Sequence, residues 1–493
     1  MDETLAATVR AWIEDDPEAE TRAELKGLLE AGDEADLTER FRGRLQFGTA
    51  GLRGLMGGGP NRMNQATIVR MTAGLVAYAL EACGGVPEAP VVIGFDARRT
   101  SRGLASIAAE VLLGAGFRVA LFDEPAPTPM VVFASNELDA PAALVVTASH
   151  NPPEYNGCKV YWMGSQIVPP VDAQIAAAID AVPSCRSVAR TELTSPRHTT
   201  IGADLRDGYT QYAADIRLGV LAKPVDLRIA YTAMHGVGGA VVVDALARAG
   251  FEDVSVVASQ QEPDGGFPTV AFPNPEEDGA MDLVLALAAE KGAHLVLAND
   301  PDADRLAMSI LHDGQYVTLT GDQIGCLLAH YALTARPWSR TDRKPLVLSS
   351  IVSTAMLGAI GAHTGVRAEQ TLTGHKWIHA RAKALDAEGY ELVLGYEEAL
   401  GYAVGPVIRD KDGISAAVFA AEMAAWCAER GRTIVDELER AWRTYGMYLN
   451  KQVSWVLPGT DGAAQIQAAM ELARTAPPTT LAGLAVVATT DLR

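Results

Sequence analysis

Short unbroken apolar runs alternate along this chain with longer helix-forming stretches. The runs are VVIGF (91–95), VALF (119–122), ALVVT (143–147), LRIAYT (227–232), VSVVA (254–258), HLVLA (294–298), LVLSSI (346–351) and ELVLGY (391–396). Residues 101–115, 240–250 and 280–291 read as helices between them. Apolar strands without polar alternation, separated by helices, predict mainly parallel sheets with both faces covered. The chain has 493 residues, more than one core of ~100–200 residues accounts for. It shows no repeat of ~20–50 residues.

Three strands run directly into polar segments: TASHN after 143–147, NDPDADR after 294–298, and EEALGY after 391–396. Ligands of open α/β sheets bind beyond the carboxyl ends of strands. Three such loops, each in its own third of the chain, predict three similar α/β domains around one central cleft. Boundaries are expected near 218–224, 319–325 and 443–451. That gives domains 1–217, 218–322 and 323–445, with 446–493 as part of a fourth.

Composition narrows the reading. Hydrophobic residues make up 48%, which excludes a disordered chain. A net charge of −20 argues against nucleic acid or an anionic membrane as partner. Residues 1–40 hold thirteen acidic and four basic residues, with apolar positions at helical spacing, and predict a solvated helical arm. The N-terminus lacks a signal-peptide pattern. No run of ~18 apolar residues predicts a membrane span. Five scattered cysteines without a C-x-x-C pair fit a reducing cytoplasm.

The polar loops carry the chemistry. Asp300, Asp302 and Asp304 alternate through NDPDADR. A curled loop can turn all three carboxylates inward, where they repel unless a cation joins them. Hard oxygen ligands suit Mg²⁺ or Ca²⁺, and the EF-hand pattern fails at Arg305 and Leu311. A solvated acidic turn is the alternative. Ser149 and His150 offer a nucleophile and a base, and NGCK brings Lys159 back towards them; no G-x-S-x-G elbow is present. A turn in which Ser149 or Asn151 caps a helix is the alternative.

FGTAGLRG (47–54) places Arg53 in a pliable glycine loop able to grip an anion, though it is no P-loop. TLTGHKW (371–377) offers His375 and Lys376. Glu397 and Glu398 form a carboxylate pair that can bind sugar hydroxyls or simply start a helix. RDKDG (409–413) adds Arg409 and Lys411, or is a surface turn. A serine, a divalent-metal loop, several cationic loops and paired carboxylates fit phosphoryl transfer, where positioning and charge neutralisation do most of the work.

Through these segments the sequence resembles the α-D-phosphohexomutases, the phosphoglucomutase/phosphomannomutase family. TASHNP looks like that family's phosphoserine loop, DPDADR like its metal loop and GYEEALGY like its sugar-recognition loop; FGTAGLRG and GFDARRTSR (94–102) match as well. The likeness covers roughly residues 40–445. Its wording is nearest to the branch that contains phosphoglucomutase-2 and phosphopentomutase-type enzymes.

The resemblance implies an α/β fold of three similar domains with mixed, mainly parallel sheets and an incomplete fourth α+β domain. It implies that Ser149 is phosphorylated. Asp300, Asp302 and Asp304 would hold Mg²⁺, with a phosphoserine oxygen completing the site. Arg53, His150 and Lys159 would surround the transferring phosphoryl group, with His150 or Lys159 as general acid/base. Arg305 would support the metal loop, while His375, Lys376, Glu397 and Glu398, with Arg409 and Lys411, would bind the substrate. The implied partners are small sugar phosphates, with a sugar 1,6-bisphosphate as intermediate and activator.

Interconversion of glucose 1-phosphate and glucose 6-phosphate leads the expected activities, ahead of mannose phosphates. A phosphopentomutase, a sugar-bisphosphate synthase, a non-catalytic sugar-phosphate-binding protein and a metal-dependent phosphohydrolase are the alternatives. Two departures matter. Ala399 stands where some relatives carry a serine, which puts sugar preference in doubt. No RPSGT-type phosphate loop occurs before the final VVATTDLR, so the chain is expected to lack part of its fourth domain.

Overall fold

The computed structural model describes residues 2–46, 51–222, 225–336, 342–450, 457, 462–489 and 491. They divide into two compact units, Met1–Tyr448 and Leu449–Arg493. In the larger unit the apolar runs become strands of three sheets, and all but 254–258, which forms an edge, lie inside them.

The first sheet contains β1 (Leu52–Leu55), β2 (Val91–Phe95), β3 (Val119–Phe122), β4 (Ala142–Val146), β5 (Tyr155–Trp162), β6 (Ser165–Gln166) and β7 (His198–Ile201). Its order is β1-β5-β4-β2-β3-β7, with β6 paired to β5. Strands β4, β2, β3 and β7 run parallel, while β5 is antiparallel to both β4 and β1. Every residue of β2 and β4 is buried, as unbroken apolar strands require when helices cover them. A Cβ on Gly94 would lie 2.2 Å from Val131 Cγ2; the glycine lets helix Thr128–Glu137 approach β2.

The second sheet contains β8 (Ile229–Thr232), β9 (Val254–Val256), β10 (Leu295–Ala298), β11 (Ala307–His312) and β12 (Gln315–Thr318), in the order β12-β11-β10-β8-β9. The third contains β13 (Lys344–Ser350), β14 (Arg367–Thr371), β15 (Tyr390–Glu397) and β16 (Gly401–Val404), in the order β14-β13-β15-β16. The same device recurs in all three. A buried parallel strand (β4, β10, β15) ends in a polar loop, and the chain returns antiparallel beside it (β5, β11, β16). The three loops singled out by sequence are these three reversals.

Helix Gly413–Glu429 is apolar nearly all round, and fifteen of its seventeen residues are buried, the expected position for such a helix. It packs on helices Ala203–Asp215, Gly239–Arg248 and Gly321–Thr334 and on β16, and one apolar core runs through all three sheets. Helix Gln65–Cys83 is long and apolar enough to cross a membrane by length and composition, which the run-length criterion passed over. Nine of its residues, from Ala66 to Ala79, are buried against the first sheet's helices, so it is a core helix.

The N-terminal arm is more ordered than a solvated arm. Helices Glu3–Asp15, Ala19–Ala31 and Glu34–Phe41 enclose their own small core of Val9, Ile13, Leu25 and Leu37. Among its described residues the second unit holds helix Gly462–Thr475 and a hairpin, β17 (Thr480–Leu481) with β18 (Leu484–Ala485).

Candidate active site

The first reversal presents Ser149. No helix follows it, so the helix-cap alternative fails; a turn leads into β5 instead. Ser149 is buried and its φ is 52°. Its N–H donates to Thr147 Oγ1 at 2.8 Å, and Thr147 Oγ1 donates to Asp96 Oδ2 at 2.7 Å. Arg98, paired with Asp96 at 3.2 Å, donates to the carbonyls of Ser149 (2.7 Å), Asn151 (2.5 Å), Pro152 (2.7 Å) and Tyr155 (2.9 Å). One buried guanidinium thus shapes the whole turn. Sequence reading passed over Asp96 and Arg98 as functional residues, although GFDARRTSR held the signal: a charged D-x-R directly after a buried strand.

The hydroxyl of Ser149 donates to Asp300 Oδ2 at 2.7 Å and lies 3.1 Å from His150 Nδ1. Burial, then Arg305 and Arg53, push the His150 ring down to about 3, so it is neutral near pH 7. Arg53 Nη1 donates to Asn151 Oδ1 at 2.8 Å, which ties β1 to the serine turn. Residues 47–50 of FGTAGLRG lie outside the described residues.

The second reversal presents the three aspartates, all buried, with one carboxylate oxygen of each lying within 4.8 Å of the others. Lys159, from β5, places Nζ 2.7 Å from Asp302 Oδ2 and 2.6 Å from Asp304 Oδ2. Lys411 Nζ lies 3.1 Å from Asp304 Oδ2, and Thr128 Oγ1 donates to Asp302 Oδ2 at 2.7 Å. Burial opposes the charge on Lys159, but Asp302 and Asp304 outweigh it and hold the ammonium's pKa above its ordinary value. Burial, with Asp302 and Asp304 beside it, pushes Asp300 well up.

The donor set fits a hard divalent cation on one specific ground. Asp302 Oδ1 and Asp304 Oδ1 are buried and have no hydrogen-bond partner among the described residues, and buried carboxylate oxygens ordinarily find one. The solvated-turn alternative does not survive the burial.

The third reversal places Glu397 at the end of β15 and Glu398 in the turn, with no helix beginning there. Glu397 Oε1 accepts the Gly374 N–H at 2.6 Å, and burial raises its pKa. Glu398 Oε2 accepts from Ser350 (3.0 Å) and Ser353 (3.1 Å). The second and third loops touch directly: Leu306 N donates to Leu400 O at 3.0 Å, and Arg305 bridges to Gly401. Arg305 also pairs with Glu276 at 3.3 Å.

RDKDG is a buried junction rather than a surface turn. Asp410 accepts from Tyr161 (2.5 Å) and Gln166 (2.7 Å), Asp412 accepts from Tyr209 (2.8 Å), and Lys411 reaches Asp304. Asp410 and Asp412 were not among the expected site residues.

The other three residues expected to bind substrate are His375, Lys376 and Arg409. His375 is enclosed: Nε2 lies 3.2 Å from Gly401 O, the ring is 3.8 Å from Glu397, and burial, then Lys411 and His379, keep it well below its usual pKa. Its Nδ1 is buried and has no hydrogen-bond partner among the described residues. Lys376 stands over the Trp377 ring at 5.9 Å, and Arg409 makes no described bond to the cluster. The structure brings together Ser149, His150, Lys159, Arg53, the three aspartates, Arg305 and Lys411, with Glu397 and Glu398 on the adjoining loop.

Known proteins share this arrangement of domains. Three family models match, each described as phosphoglucomutase/phosphomannomutase, alpha/beta/alpha: domain I over 44–184, domain II over 207–313 and domain III over 320–445. A phosphopentomutase of Homo sapiens is 36% identical over 461 residues, covering 89% of this chain and 75% of the relative. A glucose 1,6-bisphosphate synthase of Mus musculus is 34% identical over 468 residues, covering 91% of this chain and 75% of the relative. Among solved structures, a phosphoglucomutase/phosphomannomutase family protein from Burkholderia thailandensis shares the fold, with a TM-score of 0.63 and 22% identity over 80% of this chain and 79% of that one.

Proposed function

The chain belongs to the phosphoglucomutase/phosphomannomutase family of mutases, and we propose that it moves a phosphoryl group between the anomeric and terminal hydroxyls of a sugar monophosphate through phospho-Ser149. The observation that carries this reading is the buried hydroxyl of Ser149, 2.7 Å from Asp300 at the edge of a three-carboxylate loop and backed by Lys159.

The P–Oγ bond of phospho-Ser149 breaks as a bond forms from phosphorus to the free sugar hydroxyl oxygen, and that hydroxyl's proton passes by way of a base to the departing Ser149 Oγ. His150 is placed for the role: its neutral ring adjoins Oγ, and a phosphoryl anion beside it would raise its pKa. The resulting bisphosphate turns over, its other phosphoryl returns to Ser149 Oγ as the serine proton passes to the sugar oxygen that is released, and the isomeric monophosphate leaves. Arg53, Arg305, Lys159 and Lys411 offset a phosphoserine charge of about −1.5 to −2. Asp300, Asp302 and Asp304 would hold a divalent cation such as Mg²⁺, whose chemistry is to neutralise phosphoryl-oxygen charge as a Lewis acid.

For the substrate, the relatives' names favour a pentose phosphate over the glucose phosphate expected from sequence. The 36% identical phosphopentomutase supports a pentose 1-phosphate and its 5-phosphate. The bisphosphate synthase relative supports a second reading, in which the bisphosphate leaves as product. One experiment separates these: parallel assays on ribose, glucose and mannose 1-phosphates, primed with glucose 1,6-bisphosphate, with mass spectrometry of Ser149. Phosphate on Ser149, fastest turnover with the pentose and a loss on the order of 10⁴-fold or more in Ser149→Ala are expected. Free phosphate as main product would overturn the mutase reading, and accumulating bisphosphate would favour the synthase.

A further inference from the structure

The family model for the first domain begins at residue 44, yet the arm before it is wired into the active-site strand. We propose that the N-terminal arm is a positioning element of the active site: Glu24 and Arg40 set the Gly57–Gly59 turn and, through it, the strand that presents Arg53. The proposal rests on the reading of Arg53 and Ser149 as phosphoryl-handling groups.

Strand β1 has four residues and one neighbour, β5, with Arg53 opposite Gly157. So short an edge strand is weakly held by its own ladder. The turn at its carboxyl end is fastened to the arm. The Gly58 N–H donates to Glu24 Oε2 at 2.8 Å, and Gly58 O accepts from Arg40 Nη1 at 3.2 Å. Arg40 and Glu24 pair with each other at 2.7 Å. One ion pair therefore holds both polar groups of a single residue.

Further along, Asn61 N donates to Arg40 O at 3.0 Å, Asn61 Nδ2 donates to Glu39 O at 3.1 Å, and Arg62 pairs with Glu39. The turn is shaped to receive the arm. Gly57 and Gly59 have φ of 146° and 110°, and a Cβ on Gly58 would lie 2.6 Å from Leu25 Cγ.

The other end of β1 reaches the chemistry. Arg53 donates to Asn151 Oδ1, and Asn151 N donates to Ala148 O at 3.1 Å. The line of contact runs from Glu24 and Arg40 through Gly58, β1, Arg53 and Asn151 to Ala148, the residue before Ser149. Glu24 and Arg40 lie outside the arm's own core of Val9, Ile13, Leu25 and Leu37. Apart from pairing with each other and, for Arg40, with Asp36, their side chains bond to the turn. A small misplacement of a group touching the transferring phosphoryl is costly, so the arm acts through Arg53.

The test is a double-mutant cycle with exchange measurements on the full chain. Glu24→Ala is expected to lower kcat about tenfold with KM little changed, because Arg53 serves the transferring group. Glu24→Gln, whose amide oxygen still accepts from Gly58, should restore most of it. Glu24→Ala should add nothing to the loss caused by Arg53→Lys. In hydrogen exchange, Glu24→Ala should loosen 51–64 and 147–154 and leave 295–306 protected.

An unchanged kcat, full additivity with Arg53→Lys, or loosening spread evenly over the chain would overturn the proposal. Absence of mutase turnover in the wild type would instead sink the functional reading, and the exchange pattern at 51–64 and 147–154 would still decide whether the arm sets the serine turn.

Discussion

Ser149 sits in the left-handed region at φ 52°, where an L side chain costs ~1–2 kcal/mol. The turn tolerates it because Arg98 fastens four of its carbonyls, and the conformation delivers the hydroxyl to Asp300. Ser149→Gly and Ser149→Ala both remove the hydroxyl, but glycine relieves the strain, so Ser149→Gly should be the more stable by about 1 kcal/mol in urea titrations. Equal midpoints would mean the turn is not strained. Arg98→Ala leaves the buried Asp96 carboxylate without its partner, and should cost roughly 3–5 kcal/mol in the same assay. Loss of phosphorylation at Ser149 without loss of stability would show that Arg98 acts on ligand alone.

At the scale of elements, the sequence was legible where one force dominates. The buried parallel strands announced themselves because burial on both faces leaves no room for polar residues, and β2, β4, β10 and β15 lie within a residue or two of the apolar runs. Strands β5, β11 and β12 did not, because their residues are mixed, and β16 did not because it is only four residues long; their pairing is set by the neighbouring strand. For the same reason the aspartate and serine loops were visible as chemistry, while Asp410, Asp412 and Arg98 were not: their importance lies in bonds across distant segments.

The arm's docking was equally hidden. Asp15, at the end of the first helix, pairs with Arg70 at 2.7 Å and accepts from Ser184 and from the N–H groups of Cys185 and Arg186. Although burial opposes it, these partners hold its carboxyl at about 2 instead of 3.8. A depressed carboxylate contributes stability above its unfolded pKa and loses it as pH falls through the folded one. The stability gap between wild type and Asp15→Asn should therefore be constant above about pH 4 and close as pH approaches 2. A gap independent of pH over that range would mean that the aspartate's charge contributes nothing to docking.

The whole larger unit closes on the aspartate loop. Lys159 comes from the first sheet and Lys411 from the segment after the third, and both reach Asp304 in the second. Tyr161, two residues beyond Lys159 on β5, donates to Asp410, the neighbour of Lys411. Three loops built on the same strand reversal thus meet where carboxylates are most crowded, and two lysine ammonium groups offset part of that charge. Asp302 Oδ1 and Asp304 Oδ1 still lack hydrogen-bond partners among the described residues.

A ligand that binds the folded state alone stabilises it by about 2.7 kcal/mol at a hundredfold excess over Kd. Mg²⁺ should therefore raise the unfolding midpoint of the wild type, and EDTA should reverse the rise. Asp304→Asn should lose the increment. Tyr161→Phe removes a hydrogen bond outside the triad, so it should lower the unfolding free energy by roughly 1 kcal/mol yet keep the full Mg²⁺ increment. If Mg²⁺ leaves the wild-type midpoint unmoved while Asp304→Asn still unfolds early, the aspartates serve only as the anchor on which Lys159 and Lys411 draw the domains together.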